Sequence, residues 1–336
     1  MAKGAIPGQG QPIDSSTDLL WRDNEIFAEV FSKIVFNGMP VDPNALKDMN
    51  IAESAMLRMN DGSSTTLKQT RDVVKALESS TWLVILGIEN QTYIDYLMPF
   101  RVYELDFINL ARQVDEIKRK HKEENKERKT KGEEADIQGL TANERLSGFY
   151  KDDRLNPVIT LVIYYGEEEW TKPRKLSDLF KDTPFTGFAD DMPMYLLDVR
   201  HMDKSLIDKF SPILRSFFGF IRYDKTDEFE DFVVENKEVL SNLPPLEFNA
   251  LVEITKSKEL ERYKDDYATS EGGVNVCYGI QEIKKKTFVE AAQRFKQTIS
   301  ETVTQFIEQF GGTQSEAEAT VNKYWKTMQD TAHTAQ

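Results

Sequence analysis

Apolar residues recur at helical spacing in "DNEIFAEVFSKIVFNG" (23–38), where Ile26, Phe27, Val30, Phe31, Ile34 and Val35 share one face. Asp23 can cap the start of this helix and Gly38 ends it. "MPVDPNAL" reads as a turn, and a polar stretch that includes "NDGSS" follows to Thr70. The pattern then changes. "DVVKAL" and "TWLVILGI" are short apolar runs rich in β-branched and aromatic residues, with "ESS" between them, which predicts a hairpin. The second run is apolar at nearly every position, as expected of a central strand covered on both faces. Pro99 introduces "FRVYELDFINLARQVDEIKRK", where Phe100, Tyr103, Phe107, Leu110 and Val114 mark the apolar face of a second helix.

Residues 118–135, "KRKHKEENKERKTKGEEA", are a mixed-charge run, read as a solvated helix extension or a flexible insertion, since Glu interrupts every basic cluster. "NPVITLVIYYG" (156–166) is a further apolar strand, "PRKLSDLF" a short helix and "MPMYLLDV" (192–199) another strand. From Ser205 onward the patterns are helical. In "TFVEAAQRFKQTISETVTQFIEQFGG" the residues Val289, Ala292, Phe295, Ile299, Val303, Phe306 and Phe310 form a stripe that predicts one helix, stopped by Gly311 and Gly312. Ser315 and Glu318 have capping-box spacing ahead of a last helix. This order of elements predicts an α/β domain followed by a helical part.

Composition narrows the function. No stretch approaches the ~20 apolar residues of a membrane span, and "MAKGAIPGQGQPIDSSTD" has no signal-peptide core and reads as a flexible leader. The single cysteine, Cys277, excludes a disulfide framework and a multi-thiolate zinc site. It suits a reducing, cytoplasmic setting. Three scattered histidines, His121, His201 and His333, argue against histidine-rich metal sites and Ser-His-Asp catalysis. The net charge is −14, from 43 basic and 57 acidic residues, which disfavours non-specific nucleic-acid binding.

The candidate chemistry lies at the ends of the predicted hairpin. Asp72 opens the first run, and Glu89 and Gln91 close the second. Two adjacent antiparallel strands would bring both acids to one end of a sheet. Such a pair makes a hard-oxygen site for Mg²⁺ or Mn²⁺, to which the carbonyl of Asn90 adds a third oxygen. Gln91 leaves the same face as Glu89 and can orient a water, but an amide cannot act as a base. Taken alone, acids at strand ends are common, and an isolated D…ExQ is a very weak pattern for a catalytic site.

"ILGIENQTYIDYLMPFRVYELDFINLARQVDEI" and "LSGFYKDDRLNPVITLVIYYGEEEWTKPRKLSDLF" (146–180) resemble segments of the recombination-promoting nuclease and putative transposase family, within the PD-(D/E)XK nuclease superfamily. "IFAEVFSKIVFNG" is similar to its first helix and "EQFGGTQSEAEATVNKYW" to a C-terminal tail found in many members. The resemblance implies an α/β fold: a PD-(D/E)XK nuclease-like core of a central mixed sheet flanked by helices, with a helical C-terminal extension. It implies metal-dependent DNA cleavage with Mg²⁺, or Mn²⁺ or Ca²⁺, in which Asp72 and the Glu89-x-Gln91 motif are the site residues. Glutamine stands at position 91 where the superfamily usually has lysine, which leaves charge neutralisation to the metal or to Lys75 or Arg101. Glu29 is the nearest acid on the first helix, though it falls on the helix's polar side. Tyr93, Asp95 and Tyr96 either line a substrate groove or cap the strand and start the next helix. Trp170 reads as a packing anchor.

The expected organisation is a leader (1–19), a nuclease-like domain (20–250, with a charged insertion at 118–145) and a helical C-terminal region (251–336). The expected function is a metal-dependent DNA endonuclease linked to recombination or mobile elements, acting on DNA and away from membranes. Two other readings stay open: a nuclease-like scaffold working through protein contacts, and a defence or toxin nuclease. Self-association through the C-terminal helices also stays open.

Overall fold

The structure, a computed structural model, describes residues 15–49, 52–58, 64–80, 83–130, 140–189, 191–262 and 264–333. The chain forms two compact units, residues 1–223 and 224–336. Most of the leader expectation lies outside the described residues, and Ser16 already begins a helix.

The first unit is built on a five-stranded mixed sheet. Its strands are β1 (Leu46–Asp48), β4 (Val73–Glu78), β5 (Leu83–Gln91), β6 (Val158–Tyr164) and β7 (Tyr195–Asp198), hydrogen-bonded in the order β1-β4-β5-β6-β7. The β1–β4 and β4–β5 pairs are antiparallel, and the β5–β6 and β6–β7 pairs are parallel. The expected hairpin is therefore β4–β5, and its second strand lies in the middle of the sheet. The α/β class, the central mixed sheet flanked by helices and the helical C-terminal stretch are as expected, and are consistent with a nuclease-like core. Three strands were not foreseen. The stretch read as polar connection holds β1 and a separate antiparallel pair, β2 (Ala52–Arg58) and β3 (Ser64–Thr70). Short or polar strands carry little apolar alternation, and pairing rather than pattern makes them.

Helices cover both faces of the sheet. On one face lie α1 (Ser16–Arg22), α2 (Asn24–Val30) and α6 (Pro212–Tyr223). Asp23 caps α2 as expected, accepting hydrogen bonds from the N–H groups of Glu25 and Ile26. Fully buried Trp21 packs against Phe217 and stacks on Phe218 at 6.3 Å. On the other face lies α3 (Met98–Thr130), whose Met98 and Val102 share a cluster with Val162, Tyr164, Trp170 and Met194. Trp170 is fully buried, its ring N–H given to the Pro173 carbonyl, as fits a packing anchor. The smaller helices of this unit are α4 (Ala142–Ser147) and α5 (Lys204–Ile207), and "PRKLSDLF" forms only a 3₁₀ turn.

The covered face of α3 is not the expected one. Met98, Val102, Leu105 and Ile108 are buried, whereas Phe100, Tyr103 and Phe107 are exposed. The helix carries two apolar stripes. Hydropathic period reports that a stripe exists and is silent on which one the sheet takes. The buried stripe also carries Asp106, whose carboxylate accepts from Arg71 at 2.8 Å and from the Thr160 hydroxyl at 2.7 Å. That polar anchoring fixes the rotation of the helix. The charged run continues α3 as far as Thr130, with i,i+4 pairs such as Arg119–Glu123, and the rest of the expected insertion up to residue 139 lies outside the described residues.

The second unit is helical: α7 (Phe229–Glu235), α8 (Lys237–Leu240), α9 (Pro245–Thr255), α10 (Lys258–Arg262), α11 (Val276–Arg294), α12 (Ile299–Phe310) and α13 (Gln314–His333). The stripe predicted as one helix is two. Lys296 takes φ +61° and Thr298 begins a capping box with Glu301, so the chain turns between α11 and α12. Phe295 is consequently exposed, while Val289, Val303 and Phe306 meet Ala317, Val321 and Tyr324 of α13 in one cluster. The cap of α13 is likewise Thr313 with Glu316, two residues ahead of the expected pair.

Candidate active site

The β4–β5 register sets Val73 opposite Ile88. Extended by one residue, it places Asp72 opposite Glu89, with both side chains directed to the α3 face of the sheet. The convergence inferred from sequence is therefore present. Asp72 stands one residue ahead of β4, and its Oδ2 accepts a 2.7 Å hydrogen bond from the Asn90 N–H. Ile85 donates its N–H to Pro157, and Gln91 accepts from Tyr165, so these residues direct their backbone groups to the β6 side. Alternation turns those of Asn90 toward the β4 side. Its carbonyl therefore faces the side on which Asp72 lies.

Glu89 is only 2% exposed. Its Oε1 is buried with no hydrogen-bond partner, while Oε2 lies 3.7 Å from an Arg101 nitrogen. Burial pushes its carboxyl up to about 8 and the Asp72 charge adds to this, against Arg101, Arg71 and the Asp72 N–H. Burial also raises Asp72, against its hydrogen bond from Asn90 and the charge of Arg101. Arg101, one turn into α3, is held by Asp95 at 2.9 Å. Gln91 is buried two positions beyond Glu89, on the same face of the strand.

The other candidates are placed elsewhere. Lys75, read as a source of positive charge, faces α1 and α2. Its ammonium bonds the Arg22 carbonyl and Asn24 at 2.8 Å and Asp48 at 2.5 Å. It is a structural cation. Of the two basic residues named from the sequence Arg101 stands beside the acids, and buried Arg71 adds a second positive charge that acts on Glu89. Glu29 accepts from the Ser211 N–H at 2.5 Å, ahead of α6. Among the described residues no group of three or more His, Cys, Asp or Glu is placed to hold a metal, so Glu29 does not join the pair as a third acid. A cation here would rest on Asp72, Glu89 and the Asn90 carbonyl, with water completing its shell. The unpartnered Glu89 oxygen and the mutual rise of two carboxyls fit that role, because a divalent ion would satisfy the first and relieve the second.

Three residues that the sequence does not mark as part of the site hold Asn90 on the opposite face. Its Oδ1 accepts from Trp21 at 2.9 Å and from the Tyr165 hydroxyl at 3.2 Å, and its Nδ2 donates to Asp18 at 3.1 Å. They lie 69, 75 and 72 residues away, a separation that no local pattern reveals. The "YYG" turn thus has a positional role. Gly87 has one too, since a Cβ there would stand 2.8 Å from Arg71.

Residues 140–244 match the family described as putative transposase, YhgA-like, and this shows the transposase-like resemblance over β6, the Tyr-Tyr-Gly turn, Trp170 and β7. Asp72 and Glu89 lie outside the matched segment. No curated protein and no solved structure matches the chain. Among the described residues no helix is long and apolar enough to cross a membrane.

Proposed function

We propose that this chain, whose residues 140–244 match the family described as putative transposase, YhgA-like, is a metal-dependent endonuclease that cleaves DNA in the context of recombination or mobile elements. One observation carries the reading: two carboxyls facing each other across β4–β5, one with a buried, unpartnered oxygen, and a guanidinium within 4 Å. Asp72, Glu89 and the Asn90 carbonyl would hold Mg²⁺ or Mn²⁺. Such an ion, when bound, polarises a phosphodiester and lowers the pKa of a coordinated water. The protein's own groups then divide the remaining work. Glu89, whose carboxyl burial pushes up to about 8, would have to lose its proton to serve as a ligand. Gln91 orients a water by hydrogen bonds without accepting its proton. Arg101 supplies the positive charge that glutamine at position 91 does not. Asp95 holds that guanidinium in place.

The test is cleavage of supercoiled plasmid in Mg²⁺, Mn²⁺ or Ca²⁺ by wild type, Asp72→Ala and Glu89→Ala, each checked for fold by circular dichroism. Metal-dependent nicking is expected. Losing a ligand worth several kcal/mol should cut the rate by more than about a hundredfold. The net charge of −14 favours one other reading, a nuclease-like scaffold that acts through protein contacts. No cleavage and no metal binding by the wild type would move the conclusion to it.

A further inference from the structure

An aromatic run follows the acid pair in the chain. Tyr93 and Tyr96 lie between β5 and α3, and Phe100, Tyr103 and Phe107 continue the spacing of three or four along one side of the helix. These five rings are between 37% (Tyr103) and 68% (Tyr96) exposed, and Tyr103 and Phe107 stack 6.3 Å apart. Helix α3 also packs against the β2–β3 pair, and these five rings keep their exposure beside it. Arg101 stands on the same helix between the stripe and the acids, bridging Asp95 and Glu89.

The geometry points to a stacking platform for unpaired DNA bases, running from the cleavage site along α3. The inference rests on the endonuclease reading and names its substrate class: single strands, flaps or splayed junctions, rather than continuous duplex. Every base offers a π-face, so a row of rings binds a single strand without regard to sequence. Base pairs in a duplex are stacked on one another and cannot use such a row. With a net charge of −14 and Arg101 beside the acids, affinity on this face would have to come more from stacking than from phosphate neutralisation. Tyr93, Tyr96 and Tyr103 carry hydroxyls, which suits a wet, reversible contact.

Two assays on the full chain separate this inference from the reading beneath it. The first is fluorescence anisotropy with a labelled oligo(dT) and with a hairpin duplex, in Ca²⁺, for wild type, Tyr96→Ala, Phe100→Ala and Phe100→Tyr. Preference for oligo(dT) is expected, with each alanine variant roughly tenfold weaker at the stacking energies typical of bases, and with Phe100→Tyr retaining affinity. The second is cleavage of single-stranded, flapped and duplex substrates in Mg²⁺ or Mn²⁺. Selective cleavage at the single strand supports the platform. Equal cleavage of all three, untouched by the alanine variants, overturns the platform and leaves the endonuclease standing. Ring-dependent oligo(dT) binding without cleavage supports the platform and removes the endonuclease. Absence of oligo(dT) binding together with retention of a protein partner by the same rings also overturns it.

Discussion

Glu89 behaves unlike a surface acid because it is enclosed between the sheet and α3 beside a second carboxyl. Its carboxyl is raised from 4.5 to about 8, and Asp72 moves in the same direction. The sign of the consequence is fixed by linkage. Between pH 4.5 and about 8 the folded state holds a proton that the unfolded chain has lost, so the contribution of Glu89 to metal-free stability is greatest below 4.5 and is lost as pH rises through about 8. Glu89→Gln should flatten that decline, because the amide does not titrate. Thermal melts from pH 5 to 8.5 in EDTA measure it. Mg²⁺ or Mn²⁺ should raise the wild-type melting temperature more at pH 8 than at pH 5 and leave Glu89→Gln unchanged. An equal effect on both proteins would place the ion elsewhere. At this scale the sequence was informative about identity and silent about state. Asp72, Glu89, Gln91 and Asn90 could be named from strand ends and a resemblance. The proton on Glu89 and the choice of Arg101 over Lys75 depend on which side of β4 and β5 each helix lies.

Elements show a similar division. The hairpin, the central strand, β6, β7 and the start of α2 at Asp23 all follow local rules of pattern and capping, and the chain obeys them. The failures occur where two local signals compete. The aromatic stripe and the aliphatic stripe of α3 are equally periodic, and buried Asp106 with its partners Arg71 and Thr160 decides between them. The stripe from Val289 to Phe310 is continuous in pattern, but Thr298 and Glu301 form a capping box that restarts the helix. Thr298→Ala should therefore destabilise the chain by about 1 kcal/mol. Urea unfolding followed by circular dichroism measures this, and Thr298→Ser should be close to neutral. Equal stability of the alanine variant would mean that packing of Val303 and Phe306, rather than the cap, sets where α12 begins.

For the whole molecule, a net charge of −14 limits how it meets DNA. Proteins that neutralise 6–10 phosphates lose ~10³–10⁵ in affinity between 50 and 200 mM salt. Arg101 is the partly exposed cation beside the acids, Arg71 being buried, and the contact proposed beyond it is aromatic. Affinity for oligo(dT) should fall only about tenfold over the same range, as expected of one or two phosphate contacts. Anisotropy at the two salt concentrations checks this, and a steep decline would mean that a basic tract forms the contact instead. The sequence by itself determined the α/β class, the hairpin and the helical second half. All of these are encoded by neighbours in the chain, through side-chain period, strand propensity and capping, while Asp72 and Glu89 are singled out by a resemblance rather than by local pattern. Only the tertiary structure decided which face of α3 is covered, which cation stands at the acids and how Trp21, Tyr165 and Asp18 hold Asn90. Those choices are made by contacts between residues tens of positions apart, where burial and the pairing of buried polar groups select one of several arrangements that the local pattern permits equally.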